Sequence, residues 1–165
     1  MKILISPAKS LDFDSTIDSL KCTQPVFLNK TSEINSVLKE KSPKDLMQLQ
    51  GISQKLSDLN WKRNNDYVDN HNNKNSRPAV FAFNGDVYSG IDVKTLSEEK
   101  VYDLQKSLRI LSGYYGVLKP LDLIQPYRLE MGTKIKLGKT NKLHEFWIDL
   151  VTDHLNSELS RDDIL

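Results

Sequence analysis

Residues 108–132 read LRILSGYYGVLKPLDLIQPYRLEMG, with glycines at close spacing, three tyrosines, two prolines and three isolated cations. Gly113 and Gly116 flank Tyr114 and Tyr115. A glycine backbone takes positive φ or lies close against another surface, which a residue with a Cβ resists, so the segment suits a tight turn or a phosphate resting on bare amides. Ahead of the turn, residues 108–112 are apolar enough for a buried strand. Beyond it, Pro120 and Pro126 each hold φ near −65° and push the preceding residue toward an extended shape, so no long helix crosses this region. Tyr127, Leu129 and Met131 then alternate with Arg128 and Glu130, as the two faces of a strand do.

Moving outward, Lys2 to Ile5 reads as a buried strand that delivers Ser6, Pro7, Ala8 and Lys9 at its C-terminal end, where open α/β sheets usually meet ligands. Lys9 is a candidate point charge for a phosphate, with Ser6 and Asp12 as polar neighbours; the plainer alternative is that Asp12 caps a turn and Lys9 is solvated. Residues 79–83 form a short apolar run ending at Asn84-Gly85, which suggests a strand and a tight turn. Ile34, Val37 and Leu38 keep helical spacing. Ser42, Pro43 and Asp45 then supply a cap, a first-position proline and an acid near the positive end of the dipole, and Gly51 supplies the stop. Ser53 caps a further helix, on which Leu56, Leu59 and Arg63 mark a face. Residues 64–78 hold six asparagines and few apolar residues, the composition of a loop. Ser97 with Glu98 and Glu99 starts a helix that uses Val101, Leu104 and Leu108 inside. A last apolar stripe, from Leu143 through Phe146, Trp147, Leu150 and Val151 to Leu155 and Leu159, reads as a core helix. The expectation is one compact domain of mixed α/β (α+β) class, with a central mixed sheet at residues 2–5, 79–83, 108–112 and 123–131 flanked by helices.

The chain has 165 residues and a net charge of only +1, but the charge is uneven. Residues 100–142 carry 9 basic and 3 acidic side chains, and residues 143–165 carry 1 and 6. A local excess of +6 concentrates an anionic partner more effectively than the overall balance implies, although Lys134, Lys136, Lys139 and Lys142 also suit a solvated loop. Cys22 is the sole cysteine, so no intrachain disulfide forms and a two-cysteine sensor within one chain is excluded. No segment approaches the roughly 18 apolar residues of a membrane span, and a soluble, cytoplasmic protein is expected. His71, His144 and His154 lack the spacing of a helical zinc site, and neither phosphate-loop nor dinucleotide fingerprint is present. No cofactor or metal is therefore expected; an iron site from the scattered Asp12, Asp86, Asp122 and Glu130 has little support, since acids are mostly surface residues.

Three motifs in order, SPAKSLD (6–12), FNGDVYSGI (83–91) and LSGYYGVLKPLDLIQPYRLEMG (111–132), closely resemble the YaaA family of bacterial peroxide-stress proteins. The resemblance implies a role in limiting oxidative DNA damage and free intracellular iron, and binding of double-stranded DNA through a helix-hairpin-helix-like element and a basic cleft. It also implies a site-lining role for Asp86 and Tyr88. On this view Gly113 and Gly116 expose amides to a phosphate while Lys9, Arg109, Lys119 and Arg128 supply charge. Two departures stand against a true helix-hairpin-helix: two residues separate the glycines instead of one, and Pro120 and Pro126 leave little room for a second helix. The alternative is an enzyme acting on a nucleotide or other phosphate compound, with Lys9 and Arg128 as clamps and Asp86 or Glu130 as general base. Family members continue past the Asp162-Asp163-Ile164-Leu165 end, so the chain is expected to be an N-terminal portion with an apolar surface beside its last helix. Strand order and oligomeric state are not legible.

Overall fold

The strand expected at residues 108–112 is the middle of the sheet. In a computed structural model, which describes residues 1–17 and 20–159, β1 (Ile3–Ile5) pairs in parallel with β5 (Leu108–Ser112), and β5 pairs antiparallel with β6 (Gly116–Leu118). Flanked on both sides, β5 is buried at Leu108, Arg109, Ile110 and Ser112. Residues 113–115 form the loop of a β-hairpin, with Ser112 opposite Gly116. Between β1 and β5 the chain forms β2 (Ser10–Leu11), the helices α1 (Leu28–Lys39), α2 (Pro43–Gln50) and α3 (Gln54–Asp66), then β3 (Arg77–Pro78), α4 (Ala79–Ala82), β4 (Phe83–Asn84), α5 (Asp86–Ile91) and α6 (Glu98–Ser107). After β6 come β7 (Leu123–Ile124) and α7 (Leu143–Glu158). Two further two-stranded ladders, β2 with β4 and β3 with β7, are antiparallel. The fold is thus mixed α/β, and none of the described helices is long and apolar enough to cross a membrane.

Local signals set several helix ends. Ser42 accepts from the Asp45 amide while Asp45 accepts from the Ser42 amide, a reciprocal cap, and Gly51 closes α2 at φ 61°. Ser53 and Ser97 cap α3 and α6. The faces were less legible than the ends. Leu56 and Leu59 of α3 are exposed, and the side turned inward is polar: Ser57 donates to the Pro43 carbonyl, and Asn35 Nδ2 donates to the Asn64 carbonyl at 3.1 Å.

Two expected strands are corrected. Residues 79–82 are a helical turn, because Pro78 sets the entry and the turn's first amides, of Ala79 and Val80, donate to the carbonyls of Asp122 and Pro120. An apolar run this short does not distinguish buried helix from strand by period. Of residues 123–131 only Leu123 and Ile124 have a ladder partner. Beyond Pro126 the expected alternation persists, with Tyr127 and Leu129 buried and Glu130 exposed, but without strand pairing. The asparagine-rich loop is pinned by two buried residues. His71 Nε2 lies 3.1 Å from the Tyr115 hydroxyl, and Arg77 donates to the Ser15 carbonyl and hydroxyl at 2.6 and 2.7 Å. His71 Nδ1 faces the Asp69 carbonyl at 3.2 Å and burial lowers the pKa of the ring, which together assign a neutral imidazole with its proton on Nδ1 and Nε2 accepting from the Tyr115 hydroxyl.

The main core wraps the hairpin. Tyr114 stacks on Tyr127 at 5.0 Å between ring centroids, and Tyr115 meets Tyr114 edge-on at 5.1 Å. From α7, Leu143 and Trp147 are buried, and Trp147 Nε1 donates to the Gly113 carbonyl at 2.9 Å. The same helix leaves Ile148 58% exposed. Asp162 and Asp163 lie outside the described residues.

Candidate functional site

Because β1 and β5 are parallel, their C-terminal ends lie on the same side of the sheet, and both expected site segments emerge there. Ser6 to Lys9 leave β1, Gly113 follows β5, and the extended Tyr127–Met131 segment crosses beside them. Together with Leu111 they line a cleft of about 340 Å³. Its walls are apolar, from Pro7, Ala8, Leu129 and Met131, and its charges sit together. Lys9 Nζ is 3.0 Å from Glu130 Oε1, and Arg128 NH2 is 3.5 Å from the same oxygen. Lys9 and Glu130 are more than half exposed, whereas the Arg128 side chain is only 17% exposed. Two cations thus share one carboxylate, a cluster with net positive charge at the rim of an apolar hollow, which is suited to an anion.

Tyr88 and Gly85 shape this cleft without lining it. The Tyr88 hydroxyl donates to the Ser6 carbonyl at 2.9 Å, and burial pushes its pKa well up, so it stays a neutral donor. A Cβ at Gly85 would come within 3.1 Å of Ala8 Cβ. Asp86 is exposed at the start of α5 and lines neither this cleft nor the hollow beside it. Asp12 belongs to a local turn: it accepts from the Ser15 hydroxyl at 2.6 Å and from the amides of Ser15 and Asp14, and it pairs with Lys94 at 3.2 Å. The Ser15 hydrogen bonds, with help from Lys94, hold its carboxyl far below the usual range. Among the described residues no group of three or more His, Cys, Asp or Glu is placed to hold a metal ion.

Arg109 and Lys119 stand elsewhere, in a hollow of about 740 Å³ with Asp122, His154 and Glu158. Arg109 is 2% exposed, and its Nε and NH2 bind the two Glu158 oxygens at 2.6 and 2.9 Å. Lys119 Nζ lies 3.3 Å from the same carboxylate. The expectation that Arg109 offers charge to a partner is therefore corrected, since its guanidinium is buried and neutralised by Glu158. The glycine turn is corrected likewise. The amides of Tyr114 and Tyr115 both donate to Ser112 Oγ, and a Cβ on Gly113 would meet the Leu129 carbonyl oxygen at 2.5 Å. Gly113 and Gly116 therefore serve close packing, and the segment is a strand-turn-strand, with no helix on either side of the turn.

Sequence reasoning missed Gln50, Thr133 and Glu158. Gln50 and Thr133 line a smaller hollow that shares Arg128 and Glu130 with the cleft, and Glu158 organises the second set of cations. None carries a local signal, since an isolated polar residue at a helix end, as Gln50 and Glu158 are, or after a turn, as Thr133 is, reads as solvated.

The fold and the cleft define a mixed α/β protein with a Lys9–Glu130–Arg128 charge cluster at the C-terminal end of its parallel strand pair. The profile of the family described as "Peroxide stress protein YaaA" matches residues 1–165, and the chain belongs to that family. It is 52% identical over 164 residues to a UPF0246 protein of Flavobacterium johnsoniae, a match covering 99% of this chain and 65% of the relative. UPF0246 proteins of Flavobacterium psychrophilum and Idiomarina loihiensis are 49% and 48% identical, over 99% and 97% of this chain. The chain spans 65% and 62% of the length of those two relatives.

Proposed function

We propose that this chain serves the bacterial peroxide-stress response in the cytoplasm by gripping double-stranded DNA through its phosphate backbone, thereby helping to limit oxidative DNA damage and free intracellular iron. One observation carries the DNA reading. From Thr133 to Leu137 the chain alternates, with Thr133, Ile135 and Leu137 buried and Lys134 and Lys136 exposed, so these lysines form a one-sided ribbon, and Lys139 is exposed in the tight turn that follows. Gly132 and Thr133, where the ribbon starts, border the hollow shared with Arg128 and Glu130, which puts the ribbon and the cleft cations on adjoining surface. Family membership supports the peroxide-stress setting. Backbone contacts release counterions, so affinity falls with salt at a slope of about −0.9 per phosphate neutralised, and three contacts give a slope near −3. Duplex titration at several salt concentrations tests this. Alanine at Lys134, Lys136 and Lys139 together is expected to flatten the slope toward zero for every sequence; unchanged affinity in that variant rejects the surface.

A second reading, an enzyme or binding protein for a nucleotide or other phosphate compound, is favoured by the Lys9–Glu130–Arg128 cluster lying in a concave, apolar-walled cleft. Mononucleotide competing with duplex at millimolar concentration or below, lost in Lys9→Gln, supports that reading; absence of competition supports the first alone.

A further inference from the structure

Arg128 and Glu130 line two hollows. Besides the cleft, they border one of about 260 Å³ with Leu49, Gln50, Gly132 and Thr133. Buried polar atoms are nearly always hydrogen-bonded, and the exceptions among the described residues are informative. They are Asn35 Oδ1, Asn64 Nδ2, both amide atoms of Gln50, and Arg128 Nε. Three of these five belong to residues of this one hollow. The charge around it is also unbalanced. Arg63 of α3, bonded to Asn60 Oδ1 at 3.2 Å, loses affinity for its proton first through burial and then through repulsion by Arg128. Arg128 of this hollow already shares the single Glu130 carboxylate with Lys9 of the cleft.

We infer that the hollow between the end of α2 and the Arg128–Glu130 segment is a binding site for a compact oxyanion that carries its own hydrogen-bond donor, a phosphate monoester being the class that fits. The guanidinium of Arg128 takes one anionic oxygen through its unused Nε–H, and Gln50 Nε2 donates to a second. Gln50 Oε1 then requires a donor from the ligand, which a monoprotonated phosphate or a neighbouring hydroxyl supplies and a sulfate does not. The inference deepens the small-molecule reading of the cleft, and rests on it in taking the bound group to be phosphate.

Calorimetric titration of the folded chain at neutral pH with inorganic phosphate, and separately with sulfate, tests it. Saturable phosphate binding, tighter than sulfate by at least about tenfold, is expected from a site whose acceptor must be met by a donor. Gln50→Leu should abolish that preference, and Lys9→Gln should change phosphate affinity less than about threefold, because Lys9 does not line this hollow. If Gln50→Leu fails to fold, Gln50→Glu replaces it and should repel the anion. Equal affinity for phosphate and sulfate, or phosphate binding untouched by Gln50→Leu, overturns the inference. Phosphate binding lost in Lys9→Gln but kept in Gln50→Leu overturns it too, yet leaves the cleft reading standing. A Gln50-dependent phosphate site in a chain that ignores mononucleotides does the reverse.

Discussion

Gly113 is the residue whose role the structure changes most. Alone, its spacing from Gly116 suits a turn offering amides to a phosphate. In the fold it has no room for a Cβ, because the Leu129 carbonyl oxygen and the backbone of Glu130 and Met131 lie 2.5–2.9 Å from where that carbon would be. Those atoms are backbone and cannot rotate away. Gly113→Ala should therefore destabilise the chain by about 1–3 kcal/mol, the usual cost of forced overpacking, and lower the melting temperature by roughly 2–4 °C per kcal/mol. A melting temperature within a degree of the parent would show that the 127–131 segment yields freely. Lys9, Arg128 and Glu130 were singled out in the sequence by position, Lys9 at the end of the first strand and Arg128 with Glu130 on one face of an alternating segment. Gln50 was not, since its significance lies wholly in having buried amide atoms without partners.

Among elements, the hollow where β5, α7 and the β6–β7 connection meet has a definite pH signature. Burial is the main influence on Asp122, outweighing its hydrogen bonds from Thr23 and the Lys119 amide, and it raises the pKa from 3.8 to about 6. Burial also opposes ionisation of Glu158, but the hydrogen bonds and charge of Arg109 and then Lys119 outweigh it and bring the pKa from 4.5 down to about 2. The two effects have opposite signs. Between about pH 6 and 4 the folded chain binds a proton at Asp122 that the unfolded chain does not, so this group adds stability as pH falls. Below about 4.5 the unfolded chain takes up a proton at Glu158 first, so stability is lost as pH falls toward 2. Urea unfolding at steps from pH 3 to 7 should place the best contribution of this pair between about pH 4 and 5. Asp122→Asn should remove the gain between pH 6 and 4 while leaving the loss below it; an unchanged profile would remove Asp122 from the account.

At the scale of the whole molecule, two buried clusters meet in one element. Ala79 and Ala82 of α4 pack in the main core, whereas Val80 and Phe81 of the same turn pack with Val93, Val101 and Leu121. A four-residue turn cannot keep one face folded while the other dissolves, so the clusters should melt together. Trp147 is 1% exposed and Trp61 is 42% exposed, so a Trp61→Phe chain reports on the main core alone by fluorescence. Its guanidinium transition should coincide with that of circular dichroism at 222 nm. Separate midpoints would mean that the α6-side cluster unfolds independently.

The sequence by itself determined what short-range chemistry controls. Ser42, Pro43, Asp45 and Gly51 delimit α2, Ser53 and Ser97 start their helices, and the apolar runs at residues 2–5 and 108–112 become neighbouring strands of one sheet. It also placed Ser6, Lys9, Arg128 and Glu130 in motifs that do converge on one cleft. Only the tertiary structure decided that residues 79–82 coil and that α3 turns its polar side inward. It likewise decided that Arg109 is silenced by Glu158, 49 residues away, and that Gln50 is left beside Arg128 with nothing to bind. Caps and turns are satisfied within a few residues of themselves, whereas burial and charge pairing depend on which distant segment arrives, and that is a property of the packed chain.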